Sequence, residues 1–90
     1  MAKNRVNMKK VNFVFYVYES DITINGDECN SIIFLNKGAS NVEINGVTLT
    51  TDQSLSLDCN HEERDQSRYN ISFSGAGTQI CNVIKKFNQR

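Results

Sequence analysis

Apolar and polar residues alternate with a period of two over several short segments of the chain, and each segment is followed by a polar turn. The clearest segments are Ile22-Thr23-Ile24, Val42-Glu43-Ile44, Leu55-Ser56-Leu57 and Tyr69-Asn70-Ile71-Ser72-Phe73. Alternation of this kind places the apolar side chains on one face of an extended strand. About seven or eight such strands, spaced by roughly ten residues, fit into the chain. The pattern predicts an all-β fold, a small antiparallel β-sandwich or jelly roll, with a partly closed β-barrel as the alternative.

Asn45-Gly46 is the strongest turn signal, because this pair tolerates the positive φ angles of a type I′ turn. A two-residue loop at this position pairs Val42 with Leu49 and Ile44 with Val47. All four side chains then lie on one face of the hairpin. The same Asn-Gly pair occurs twenty residues earlier, but the residues after each turn differ. We interpret the likeness as shared hairpin chemistry and not as a structural repeat.

Two other connections and the last strand carry weaker signals. Asn25-Gly26-Asp27 predicts a turn after the second strand. Residues 60–68 contain no apolar residue, which predicts an exposed loop between strands that need not be adjacent. The last strand is predicted from Gln79 to Phe87, where Ile80 and Val83 fall on opposite faces unless a bulge resets the alternation.

The segment Val11 to Tyr18 is apolar or aromatic on both faces. Val11, Phe13, Phe15 and Val17 fall on one side, and Val14, Tyr16 and Tyr18 fall on the other. The simplest explanation is a strand covered twice, by the core on one side and by a neighbouring subunit or the N-terminal arm on the other. The candidate interface therefore comprises Lys9, Lys10, Val11, Phe13, Val14, Phe15, Tyr16 and Tyr18.

Charge is distributed unevenly although the formal net charge is zero. Residues 1–18 and 69–90 carry seven basic residues and no acid, whereas residues 19–68 carry ten acids and three basic residues. We expect residues 1–10 to be a flexible basic arm and residues 11–90 to form a single β domain with exposed basic ends. Such polarity suits head-to-tail contacts or docking onto an acidic surface.

The chemistry-bearing residues are few. His61 is the only histidine, and no nucleophile motif, phosphate-binding loop or spaced carboxylate pair accompanies it. Cys59 with His61 is a weak zinc pattern, and the acids around it resemble a calcium loop that lacks the required glycine. We therefore expect no enzyme activity, no cofactor and no metal.

Cys29, Cys59 and Cys81 are an odd number without tight spacing, which is a poor disulfide framework. We expect three small buried hydrophobic residues in a protein made in the cytoplasm. The first ten residues contain no apolar run of the kind a signal peptide needs. No later run approaches the length that spans a bilayer.

Several phrases together resemble the small β-sandwich virion proteins of tailed bacteriophages. They are Asn36-Lys37-Gly38, Val42 to Leu49, Gln53-Ser54-Leu55-Ser56-Leu57 and Tyr69 to Phe73. The resemblance covers roughly residues 11–87 in style and strand order. It implies a structural protein without enzymatic activity that decorates or joins parts of a capsid or tail in many copies. It carries no site residues, because the likeness includes no site.

The sequence therefore favours an oligomeric assembly protein whose partners are copies of itself or other virion proteins, located in the virion. The alternative is a stand-alone module that binds carbohydrate or protein through residues 60–68. Membrane and small-molecule partners have no signal in the sequence. The acidic middle of the chain also disfavours nucleic acid.

Overall fold

The computed structural model describes residues 10–89, and all of its regular structure is β. The strands are β1 (Lys10–Tyr18), β2 (Ile22–Asn25), β3 (Ser31–Asn36), β4 (Asn41–Ile44), β5 (Val47–Leu49), β6 (Ser54–Asp58), β7 (Arg68–Ser74) and β8 (Cys81–Gln89). Among these residues no helix is long and apolar enough to cross a membrane. The predicted arm lies outside the described residues except for Lys10, which is the first residue of β1 and not part of an arm.

The strands form two antiparallel sheets of four, with the orders β1-β8-β3-β6 (sheet A) and β2-β7-β4-β5 (sheet B). The first strand pairs with the eighth, the second with the seventh, the third with the sixth and the fourth with the fifth. The chain is thus one long hairpin folded over on itself, which is the topology of an eight-stranded jelly roll. The predicted sandwich is confirmed. The barrel alternative is wrong, because the two sheets remain separate.

The tip of this long hairpin is the Asn45-Gly46 turn. Asn45 and Gly46 have φ angles of 48° and 90°, as a type I′ turn requires. The predicted register is confirmed, because Val42 lies opposite Leu49 and Ile44 lies opposite Val47. Val47 exposes 45% of its surface because it lies next to the turn, at the end of the sandwich.

The core fills the space between the sheets with the inward side chains of the alternating strands. Its members are Ile24, Cys29, Ile32, Phe34, Val42, Ile44, Leu49, Tyr69, Ile71, Cys81 and Val83. Phe34 of sheet A meets Tyr69 of sheet B with ring centroids 5.0 Å apart and planes tilted by 60°. Tilted aromatic pairs of this kind stabilise a fold beyond the area they bury, so this contact helps to join the two sheets.

The three cysteines are free thiols, and the prediction that they are buried is confirmed for Cys29 and Cys81 but not for Cys59. Cys29 and Cys81 are buried, and burial raises the pKa of each thiol to about 11. Cys59 is half-buried, and burial also raises its pKa. All three therefore remain protonated near neutral pH and behave as small apolar side chains.

The Asn25-Gly26 prediction needs correction. The chain does turn there, but β2 pairs with β7 and not with β3, so the turn joins the two sheets and is not a hairpin. The positive φ angles fall on Asp27 and Glu28, at 53° and 65°. Gly26 is needed for a different reason, since a Cβ atom there would lie 2.5 Å from the carbonyl oxygen of Asp65.

The last strand begins two residues later than predicted. Ile80 precedes β8, so it does not take part in the alternation, and Cys81, Val83 and Lys85 all point inward. The pairing of β8 with β1 runs without interruption from Cys81 to Gln89, so the strand needs no bulge.

Two buried asparagines, one just before β3 and one at its last residue, form hydrogen bonds to the loops at the two ends of the sandwich. The Asn30 amide donates 2.9 Å to the carbonyl of Glu63, and its oxygen accepts from the N–H of Asn88. At the other end, the Asn36 amide donates 2.8 Å to Ser40 O and 2.9 Å to Leu49 O. The Asn36 oxygen also accepts from the N–H of Gly38. Both side chains thus satisfy backbone groups that would otherwise be costly to bury.

Replacing Asn36 with alanine leaves three backbone groups without their partner. We expect the free energy of unfolding, measured by urea titration, to fall by about 2 to 3 kcal/mol. Asn41→Ala, an exposed asparagine at the start of β4, is the matched control and should change it by less than about 0.5 kcal/mol. Equal effects of the two substitutions would contradict the role assigned to Asn36.

Candidate functional site

The two faces of β1 have different environments. Val14, Tyr16 and Tyr18 are half-buried on the inward side, where the two tyrosines pack against the core. The outward side chains are Val11, Phe13, Phe15 and Val17, which expose 41%, 56%, 70% and 61% of their surface. We call these four residues the outer row.

The structure therefore divides the predicted interface residues between two faces. Of the predicted interface residues, Val11, Phe13 and Phe15 are exposed apolar side chains of the outer row. Val14, Tyr16 and Tyr18 belong to the inward side, and burial raises the pKa of Tyr18. Lys9 lies outside the described residues, and Lys10 is exposed at the start of the strand.

The apolar surface continues from the outer row toward the middle of sheet A. Phe15 lies opposite Ile84 of β8, which in turn lies opposite Ile33 of β3. Both isoleucines are half-buried, and so is Leu35 further along β3. Beyond them, β6 presents Ser54, Ser56 and Asp58. The apolar surface thus runs along β1 and reaches β3 only through Ile84, because Asn82, Lys86 and Asn88 lie opposite the rest of the outer row. Exposed apolar patches of this kind mark interaction sites.

β1 is also an edge strand, because β8 is its sole neighbour within the described residues. It has nine residues, whereas the other three edge strands, β2, β5 and β6, have four, three and five. Short edges are a common protection against pairing with another chain. The long edge therefore coincides with the exposed apolar row.

Behind β1, a buried lysine ties sheet A to the connection between β2 and β3. Lys85 is 2% exposed, and its Nζ lies 2.7 Å from Asp27 Oδ2. It also donates 2.8 Å to the carbonyl of Asn25 and lies 4.9 Å from the ring centroid of Tyr16. Lys85 was expected at an exposed basic end. Its position in the alternation of β8, two residues after Val83, was the signal that it faces inward.

The loop predicted to be exposed over residues 60–68 is anchored at Asp65. Asp65 is 8% exposed and forms an antiparallel bridge with Cys29. Its carboxylate accepts from the hydroxyl of Tyr69 and, at 2.7 Å, from the N–H of Ser67. The loop joins β6 and β7, which lie in different sheets and are therefore not adjacent, but the prediction that all of it is exposed is wrong.

The contact between Asp65 and Tyr69 moves the pKa values of the carboxyl and the hydroxyl in opposite directions. Burial raises the pKa of the Asp65 carboxyl, but the hydrogen bonds from Tyr69 and Ser67 outweigh it, so that the pKa is lower than usual. Burial and the bond to Asp65 raise the pKa of the Tyr69 hydroxyl. The pair is therefore a charge-assisted hydrogen bond with an ionised carboxylate and a neutral phenol at neutral pH.

A shallow depression of about 530 Å³ lies over this loop and is lined mainly by polar side chains, including Glu63, Arg64 and Gln66. Tyr69, the aromatic residue in its lining, is 5% exposed and so offers no ring face for stacking a sugar. Between residues 10 and 89, no group of three His, Cys, Asp or Glu side chains is arranged to hold a metal ion. Among the phenylalanines and tyrosines of residues 10–89, the exposed rings are those of Phe13 and Phe15 in the outer row.

Comparisons with known proteins do not add a family. No protein-family model matches the chain, and neither does any curated protein or solved structure. The site is therefore interpreted from its own residues.

Replacing Tyr69 with phenylalanine removes the hydroxyl that donates to Asp65. We expect the free energy of unfolding at pH 7 to fall by about 1.5 to 3 kcal/mol, because the bond involves a charged group. Since the folded-state pKa of Asp65 is depressed, this stability is present above the unfolded pKa of about 3.9 and is lost as the pH falls through the folded pKa.

Urea titrations between pH 7 and pH 2.5 measure this dependence. The difference between wild type and Tyr69→Phe should shrink as the pH falls below about 4. Tyr16→Phe, at a half-buried tyrosine that does not contact a carboxylate within residues 10–89, is the control and should show no such convergence. A difference that stays constant down to pH 2.5 would refute the charge-assisted bond.

Proposed function

We propose that this chain is a structural assembly protein without enzymatic activity, which works in many copies and makes its contacts through the outer row of β1. The observation that carries the proposal is the exposure of Phe13 and Phe15, at 56% and 70%, on a long edge strand. Function in such a protein consists of binding. The proposal therefore depends on a surface and not on a catalytic group.

The energetic argument follows from the exposed area. Taking about 200 Å² for a whole aromatic side chain, the two phenylalanines expose on the order of 250 Å² in each copy. Removing that area from water contributes on the order of 6 kcal/mol per copy before the entropy of association is subtracted. This is enough for reversible association when contributions from the neighbouring Val11 and Val17 are added.

The resemblance to phage virion proteins supports a narrower proposal, that the assembly is part of a virion. Jelly rolls are frequent in viral capsids, where copies pack side by side. The same fold serves many other functions, so the fold alone does not support a role in a virion. The support for a role in a virion is the resemblance of the sequence phrases. The uneven charge of the chain also suits docking onto an acidic protein surface.

The alternative of a carbohydrate-binding module receives less support from the site. Sugar-binding surfaces place exposed aromatic rings beside polar groups, whereas the depression over residues 57–69 has its aromatic residue buried. The exposed rings of β1 stand in an apolar row with valines on both sides, which is typical of a protein contact.

Size-exclusion chromatography with light scattering tests the proposal on the full chain. We expect wild-type protein to show a mass above that of one chain that increases with concentration, and Phe13→Ser/Phe15→Ser to remain a monomer. The serines should be tolerated, since both positions are mostly exposed. Val47→Ser, an exposed apolar residue of sheet B, is the matched control and should associate as wild type does.

Urea titration of the double variant separates loss of association from loss of folding. Wild-type protein that stays monomeric up to millimolar concentration would contradict the proposal. So would a double variant that is folded and associates as strongly as wild type.

A further inference from the structure

We propose that the open edge of β1 pairs with the same edge of a second copy of this chain, the two β1 strands running antiparallel about a two-fold axis at Val14. The inference deepens the proposed function and rests on it, because it specifies the partner and the register of the contact. Three observations carry it: unpaired backbone groups along the edge, the self-complementary order of the outer row, and the absence from β1 of the features that block pairing.

The backbone groups of the outer row point toward the open edge. Lys37 N–H donates 3.0 Å to Ile80 O, in line with the register of β3 and β8. Lys37 and Ile80 are therefore a hydrogen-bonded pair. Because such pairs alternate along antiparallel strands, the backbone groups of the even-numbered residues of β8 bond to β3, and those of the odd-numbered residues bond to β1. The register of β1 and β8 joins odd-numbered residues of β8 to even-numbered residues of β1, such as Val83 to Tyr16.

It follows that the odd-numbered residues of β1, which are the outer row, direct four N–H and four C=O groups away from β8. No strand in residues 10–89 pairs with them. A row of this kind is a template for one more strand.

The order of the outer row is the same in both directions: valine, phenylalanine, phenylalanine, valine. An antiparallel strand related by a two-fold axis at Val14 therefore meets its own sequence in a matching order. Val11 lies opposite Val17 of the second copy, and Phe13 lies opposite Phe15 of the second copy. Cross-strand aromatic and β-branched pairs are among those that stabilise sheets most.

This register also uses the whole strand, because Val14 is the midpoint of Lys10–Tyr18. Moving the axis to Phe13 or Phe15 would leave two residues of each strand unpaired and would set valine against phenylalanine. With the axis at Val14, all four outward pairs exchange both of their hydrogen bonds. The two-fold contact is isologous and closes as a dimer.

β1 lacks the features that normally prevent edge pairing. It contains no proline, and its pairing with β8 has no bulge. Lys10 is its one charged residue, and in the proposed register it lies opposite Tyr18 of the second copy and not opposite another lysine. The polar edge at β6, with Ser54, Ser56 and Asp58 outward, offers no apolar match to the outer row.

The area is consistent with a dimer in reversible equilibrium. The four phenylalanines of a pair expose on the order of 500 Å² in the separate copies, and edge pairing buries only the parts that face the neighbouring strand. With the valines and the paired backbone edges, the contact stays below the roughly 1,200 Å² at the lower end of specific interfaces, as a weak dimer requires. The joined sheet has eight strands, and its outer face carries four phenylalanines around the axis, where a further partner of the assembly can dock.

Cysteine pairs test the register directly. We would introduce Val11→Cys and Val17→Cys separately into a Cys59→Ser background, which removes the half-buried thiol and keeps the two buried ones. In the proposed register, a Val11→Cys chain meets a Val17→Cys chain at the Cα separation of about 5.5 Å found in hydrogen-bonded pairs, which a disulfide can span. When two copies of the same variant pair in this register, their two cysteines lie six residues apart along the strands, roughly 20 Å.

Mild oxidation of the equilibrated mixture should therefore give about fivefold more covalent dimer on a non-reducing gel than either variant alone, because only the mixed pair lies within the ~7 Å limit for a disulfide. Light scattering of each variant before oxidation reports association independently. If the variants associate but the mixture gives no excess, the pairing is wrong and the proposed self-association stands. If nothing associates at any concentration, the proposed function and the pairing fail together.

Discussion

Apolar side chains on both faces of an edge strand cannot all be buried by a sandwich of two sheets. In β2 to β7 the alternation has one consistent direction, with the more deeply buried apolar residues facing the core between the sheets. In β1 the inward side chains contribute to that core, and the outward row of two valines and two phenylalanines remains in water. The outward side chains can be covered only by a further layer, while the backbone edge beside them is open to a further strand.

The rest of the fold holds this strand in a fixed position. Its whole length pairs with β8, and β8 is held by β3 along its first six residues. The loops at both ends of β3 are fastened by Asn30 and Asn36, and Lys85 of β8 reaches across to Asp27. Because the strand pairings and the contacts of Asn30 and Lys85 join residues distant in sequence, the geometry of the β1 edge depends on the complete jelly roll.

The sequence predicted the strands and the Asn45-Gly46 hairpin well, because both depend on local chemistry, alternation and a turn that tolerates positive φ. The sequence predicted a turn at Asn25-Gly26 but wrongly took the pair for hairpin chemistry. Glycine is needed there because the backbone of Asp65 approaches too closely for a Cβ atom. No local pattern reports such an approach.

The candidate site was found in part. Alternation placed the outer row on one face of β1. Which of the two faces is exposed depends on where β8 and the core lie, and a strand that is apolar on both faces does not indicate this. The buried polar groups were missed for a similar reason. Lys85 and Asp65 look like solvated charges in the sequence, and only their partners, Asp27 and Tyr69, make burial tolerable.

Hydrogen exchange of individual β1 amides, followed by NMR at low and high protein concentration, tests most directly whether a second copy covers this edge. The amides of Val14 and Tyr16 face β8 and should be protected at both concentrations. Those of Val11, Phe13, Phe15 and Val17 should exchange rapidly in dilute protein and become protected as the concentration rises. Rapid exchange of these four amides at every concentration would contradict the account.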